Sequence, residues 1–190
     1  DDVVQVSKDL LGKFLVTEID GKRTSGMITE TEAYRGLDDK ACHAYNNRRT
    51  KRTETMFREG GRAYVYLCYG IHHLFNVVVG EEGVANAVLI RAIEPVDNIP
   101  VIQKRRKIDK LKPQLTAGPG VMSKALGIKT ILDGTTLLTK LNTIWIEDRG
   151  IQIEEVDIQA APRIGVDYAE ECAEWPWRFY IKNSRWVSKK

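Results

Sequence analysis

The sequence predicts an α+β fold, a single domain over residues 1–190 built on a largely antiparallel β-sheet with short helices at its flanks. Three observations lead there. Segments with strand-like alternation follow one another through short turns, with no β–helix–β rhythm. The helical segments are few and short. The chain has 190 residues, 43% hydrophobic and 29% charged, enough for one sizeable core.

The elements follow in order. Residues 3–11, "VVQVSKDLL", suit a short helix stopped by Gly12. "KFLVTEI" reads as a strand, "DGK" at 20–22 as a hairpin turn, and "TSGMITETEAY" as the returning strand. Residues 36–61 are polar and aperiodic, a loop long enough to suggest function or disorder. "AYVYLCY" is a strand, Tyr69-Gly70 a turn, and "HLFNVVV" the return. After a turn at "EEG", "NAVLIRAIEP" forms a strand closed by Pro95. Its apolar run from Ala87 to Ile93, broken only by Arg91, predicts a central strand covered on both faces. Residues 97–111 place Ile99, Ile102, Ile108 and Leu111 at helical spacing, with the "KRRK" face outward. "GPGVMSKALG" is a second short helix, Pro119 near its start and Gly127 at its end. The remainder, through "RFYIKNSRWVS", alternates like strands and loops.

Net charge is +3 with pI near 8.7, compatible with nucleic acid without requiring it. Distribution says more. Cations concentrate in Arg48–Arg52 and Lys104–Lys107, and acids at Asp38–Asp39, Glu81–Glu82 and Glu154–Asp157. Three cysteines without CxxC spacing point to a reducing compartment, and neither a disulfide framework nor a zinc cluster is expected. Cys42 beside His43 reads more simply as a small buried hydrophobe than as a nucleophile. No apolar run of about 18 residues is present, and the N-terminus does not resemble a secretory signal.

Three constellations could carry chemistry. In "ITETEAY", Glu30, Glu32 and Tyr34 share one strand face by the period of two. An acid one step from a tyrosine, just before a long loop, suits a general base. The competing readings are a solvated strand face and a divalent-cation site on the two carboxylates, which lacks a third acid at convincing spacing. Tyr64 and Tyr66 share parity, whereas Tyr69 sits at a hairpin tip beside Gly70. Either the tyrosines form an aromatic core or, with the cations just upstream, a surface where rings stack on bases and arginines meet phosphates. Arg91 inside its apolar strand demands a carboxylate, as a structural ion pair or as the partner of an active-site acid. His72 and His73 point to opposite faces and cannot easily chelate one metal together.

Taken together, "ETEAY", "KACH", "RRTKRTETMF", "AYVYLCYG", "FNVV", "AVLIRAIEP", "GPG…SKALGI", "PRIGV" and "WRFYIKNSRWVS" resemble the alkyladenine (methylpurine) DNA glycosylase family, in family order along nearly the whole chain. The resemblance implies a curved antiparallel sheet with a protruding β-hairpin. It implies a monofunctional base-excision-repair enzyme, without cofactor, metal or lyase activity. Such an enzyme flips damaged purines from double-stranded DNA and hydrolyses the N-glycosidic bond. It implies a catalytic acid at Glu32, supported by Arg91 and by the backbone carbonyl of Ile164, which positions a water. Tyr34, His43 and Tyr66 would stack on the base, Asn76 would discriminate among purines at the pocket floor, and Tyr69 would insert into the DNA. Arg48, Thr50, Arg52 and His72 would lie near the DNA backbone. A monomer located inside the cell is expected, in the cytoplasm and nucleoid or in a nucleus. Alkylated purines, and possible deaminated or etheno ones, are the implied lesions.

One position departs from the family pattern. Val121 stands where a lysine near the phosphates is common, and a helix would turn Lys124 away from that direction. The alternatives of another class are a non-catalytic damaged-DNA or RNA binding module and a metal-dependent nuclease using Glu30 and Glu32.

Overall fold

The computed structural model describes residues 2–189. Helix α1 spans Val3–Asp9, with the Asp2 carboxylate accepting from the Val4 amide as its N-cap. Strands β1 (Phe14–Ile19) and β2 (Lys22–Arg35) are joined by Asp20-Gly21, both at positive φ, the backbone that a tight two-residue hairpin requires. The second hairpin pairs β3 (Ala63–Cys68) with β4 (His72–Val79), and β5 (Asn86–Pro95) follows. Helices α2 (Ile99–Arg106) and α3 (Pro119–Leu126) come next, then the short strands β6 (Ile144–Glu147), β7 (Ile158–Ala161) and β8 (Arg178–Ile181).

All strand pairs are antiparallel, in the order β3-β4-β5-β2-β1-β6, with β8 pairing both β2 and β7. As the apolar run predicts, β5 is interior, flanked by β4 and β2 and buried along almost its whole length. Helix α3 covers β4 and β5, and α1 lies on β2. Leu15, Ile28, Phe75, Ile90, Ile93, Ile102, Met122 and Leu126 fill the core between these layers. Each such side chain contributes roughly 1.5–3 kcal/mol by leaving water.

The long strand β2 changes its outer neighbour midway. Lys22–Met27 pair with β1, whereas Glu30–Glu32 pair with β8. At the changeover the β2–β5 register shifts at Thr29–Glu30, and the pairing steps from Glu30↔Ala92 to Thr31↔Ile90, passing over Arg91. Such irregularities re-aim side chains. Here the result is that Arg91 reaches two glutamates of the neighbouring strand.

Two expectations need correction. The segment 97–111 is helical only over Ile99–Arg106, because Asn98 and Lys107 adopt left-handed conformations at its ends. Nor does all of the "KRRK" face point outward. Arg105 donates to Thr24 and the Ala125 carbonyl, and Arg106 to the carbonyls of Leu115 and Gln114. Both guanidiniums thus serve as brackets between α2 and neighbouring backbone. The loop 36–61 is built around its own apolar cluster: Cys42, Ala44, Met56 and Phe57 pack on Tyr64, Val78 and Ala87. That cluster fastens the loop to the β3–β4 side of the sheet.

Candidate active site

Glu30 and Glu32 are both 0% exposed, so the solvated-face reading of this strand is wrong. Their surroundings differ. Glu30 accepts from Arg91 Nε at 3.1 Å, Arg178 at 3.1 Å, the Ser188 hydroxyl at 2.8 Å and the Ser188 amide at 2.6 Å. It ties β2, β5, β8 and the C-terminal segment together. Glu32 accepts from the Tyr34 hydroxyl at 2.8 Å and the Ile164 amide at 2.8 Å, and lies 3.2 Å from Arg91. Every neighbour is a donor, so the carboxylate form satisfies them all. Burial opposes the charge of Arg91, but Glu32 and Glu30 more than offset it and hold its proton above the ordinary arginine range.

Only Glu32 of the two faces a cavity. This cavity has a volume of about 710 Å³ and opens between the β3–β4 hairpin, the start of α3 and the 164–168 segment. Ten of the sequence-predicted site residues line it: Glu32, Tyr34, His43, Arg52, Tyr66, Tyr69, His72, Asn76, Arg91 and Ile164. They come from five separate stretches of chain, brought to one mouth by β2, the β3–β4 hairpin with its turn, β5 and two loops.

The aromatic wall is tightly coupled. His43 and Tyr66 meet edge-to-face, with centroids 4.6 Å apart. Tyr64 is buried behind them, 3.0 Å from His43 Nδ1 through its hydroxyl, and is thus a support for the wall. Burial, assisted by the Arg52 charge, pushes the His43 value down to about 4, so this ring is neutral. Burial and the Glu32 charge raise Tyr34 well above the ordinary phenol range, and burial also raises Tyr66. The walls are therefore uncharged aromatic faces with one buried carboxylate beneath. Asn76 is buried and donates to the Tyr64 carbonyl at 3.1 Å.

The hairpin tip behaves differently. Tyr69 (φ 50) and Gly70 (φ 71) form the turn, closed by the Ile71 amide on the Cys68 carbonyl. The Tyr69 side chain is 91% exposed, and Ile71 beside it is exposed too. A tyrosine held at positive φ and in water is not a core residue. His72 lies against Gly120, where a Cβ would come within 3.0 Å of the imidazole. His73 faces the other way and accepts from the Thr130 amide at 3.2 Å, as strand parity requires.

Some expected residues stand apart. Arg48 is exposed on the loop, away from the cavity lining, and Thr50 spends its hydroxyl on Thr53 within a turn. Val121 lines the mouth at the start of α3, and Lys124 is exposed outside the lining. Ile164 meets Glu32 through its amide, a contact that sequence reading missed.

It also missed a clamp. Arg163 makes a bidentate pair with Asp39 at 2.5 and 2.8 Å and donates to the carbonyls of Ala33 and Cys172, with both side chains of the pair fully buried. Its guanidinium also lies 4.8 Å from the Tyr34 ring. Asp39 therefore does not belong to a surface acidic cluster. Asp38 beside it is exposed and pairs with Arg35. The only sequence signal was an arginine inside "PRIGV", and an isolated arginine is not legible as a buried clamp. Among the described residues, no three His, Cys, Asp or Glu side chains converge as a metal ion would need. No helix among them is long and apolar enough to cross a membrane.

A family model described as methylpurine-DNA glycosylase matches residues 1–185. Relatives from Clostridium botulinum (strain Alaska E43 / Type E3) and Bacillus cereus (strain G9842) are each 48% identical over 100% of this chain and 95% of their own length. One from Chlamydia felis (strain Fe/C-56) is 51% identical over 95% of this chain and 91% of its own. All three carry the name "Putative 3-methyladenine DNA glycosylase".

Proposed function

The chain belongs to the methylpurine-DNA glycosylase family and is a DNA glycosylase for alkylated bases; from this premise we propose how its cavity works and what it accepts. The observation that carries the reading is Glu32, a fully buried carboxylate that three donors hold at the base of an aromatic-walled cavity. A damaged purine rotated out of the duplex enters this cavity, at an unstacking cost of a few kcal/mol. Tyr69 takes its place in the stack. Tyr34, His43 and Tyr66 hold the base. Purines alkylated at N3 or N7 are cationic and gain from the aromatic faces, whereas deaminated or etheno purines rely on stacking and hydrogen bonds. Asn76 opposes the exocyclic amino group of undamaged guanine.

Bond breaking develops positive charge on the sugar. Glu32 stabilises it and takes a proton from a water that attacks C1′, in the manner of glycoside hydrolysis. The C1′–O bond forms, and the base departs with the electron pair of the C1′–N bond. Arg91 and Ile164 orient Glu32 and the water. Among the described residues no lysine lines the cavity, so none of them offers the lining an amine that could attack C1′ and open a lyase route, which supports a monofunctional enzyme. Arg48, Thr50, Arg52 and His72 contact the DNA backbone, and the chain acts as a single-domain monomer within the cell.

Duplexes carrying one defined lesion each, incubated with the protein and then treated with alkali, test this reading. Cleavage at N3- or N7-alkylpurines should depend on alkali. Strand scission without alkali would refute monofunctional hydrolysis, and no release of any alkylpurine would refute the assignment of the cavity.

A further inference from the structure

Both proposed stacking tyrosines already carry a guanidinium, and the two are held very differently. Arg163, 4.8 Å from the Tyr34 ring, lies outside the cavity lining, fully buried and gripped by Asp39. It is permanent. Arg52 lies 5.0 Å from the Tyr66 centroid, within the cavity lining, with its Nη2 3.3 Å from His43 Nε2. It is exposed, and it pairs with no carboxylate among the described residues. Its polar partners, the His43 imidazole and the Tyr64 hydroxyl, are both neutral.

A guanidinium is a planar, delocalised cation, and so is an N3- or N7-alkylated purine. Both seek the same aromatic face. A DNA phosphate, in turn, offers Arg52 a charge-assisted bidentate bond, stronger than a 3.3 Å contact with a neutral ring. We propose that Arg52 is a specificity-determining residue of the base slot. Its guanidinium holds the Tyr66–His43 face until a phosphate draws it away, so that a damaged base is accepted when it arrives on a DNA backbone and disfavoured when it arrives as a free nucleoside. This rests on the assignment of the cavity as the base slot. It gives the loop cation a second task beside backbone contact. It also spares the enzyme from inhibition by small alkylated purines.

The test compares wild type, Arg52→Ala and Arg52→Lys, first with 7-methyl-2′-deoxyguanosine, a cationic nucleoside without phosphate, and then with a duplex bearing one alkylpurine. Removing an exposed cation–π competitor should tighten nucleoside binding by roughly two- to fivefold in Arg52→Ala, while duplex binding weakens. Arg52→Lys keeps a charge for phosphate but loses the planar stack. Its ammonium still attracts the ring but more weakly, so it should fall between wild type and Arg52→Ala with the nucleoside and stay near wild type with the duplex. Nucleoside affinity that is unchanged or weaker in Arg52→Ala overturns the proposal, as does Arg52→Lys binding the nucleoside more tightly than Arg52→Ala. Base release by wild type from the alkylated duplex is scored in parallel. If release fails, the cavity assignment is at fault; if release proceeds and the nucleoside response is absent, only the role of Arg52 falls.

Discussion

Tyr34 donates its hydroxyl hydrogen to Oε2 of Glu32 at 2.8 Å, two residues earlier on the same strand. Burial, then the Glu32 charge, keep that phenol protonated and therefore a donor. The bond couples a wall of the proposed base slot to the proposed catalytic carboxylate. Tyr34→Phe keeps the ring and deletes the donor. A hydrogen bond to a charged group is worth about 1.5–3 kcal/mol, so single-turnover excision should slow by roughly ten- to a hundredfold. Affinity for lesion DNA should stay near wild type. A loss of affinity with an unchanged rate would mean that the bond only holds the ring.

The two glutamates should separate cleanly. Glu32→Gln should bind lesion DNA nearly normally and lose several orders of magnitude in excision rate. Glu30→Gln should act on stability, because it leaves Arg91 and Arg178 short of a buried negative charge. Breaking such a pair costs about 3–5 kcal/mol. Thermal melting beside single-turnover kinetics checks both. Equal kinetic losses with unchanged melting would favour a site built on paired carboxylates.

Tyr69 is 91% exposed at its hairpin tip, so Tyr69→Ser should leave the melting temperature almost unmoved. Its penalty should appear in excision from fully paired duplex and be smaller with single-stranded or mismatched substrate, where less unstacking is needed. A variant that melts far below wild type, or equal penalties on all substrates, would count against the wedge.

His43 makes stability depend on pH. Its value is about 4 in the folded protein against 6.5 for the unperturbed side chain. Between those values the unfolded chain binds a proton that the folded one does not, so stability falls as pH drops through this window and is fully present above it. Denaturant unfolding of wild type and His43→Gln at pH 7 and pH 4.5 isolates the effect from the titrating carboxylates. Wild type should lose more stability between the two pH values than the variant. Equal losses would show that His43 titrates normally.

Much of the molecule is legible along the chain. The alternation of β1 to β5, the "DGK" and Tyr69-Gly70 turns and the interior character of β5 all follow from local pattern, because a period of two and a left-handed turn are properties of a few adjacent residues. The order of motifs pointed to the family, and their residue types suggested an acid, aromatic walls and an exposed tip. Strand parity correctly set Glu30, Glu32 and Tyr34 on one side, and His72 and His73 on opposite sides. Tertiary structure alone decided which glutamate faces the cavity, since that depends on the changeover of β2 from β1 to β8 and on the register shift beside Arg91. It also decided that Asp39 and Arg163, 124 residues apart, would meet as a buried pair, and that Arg105 and Arg106 would turn inward. The reason is physical. Periodicity reports which side of its own element a residue occupies, whereas the partner of a buried charge is set by whichever distant segment packs there, and no local pattern records that choice.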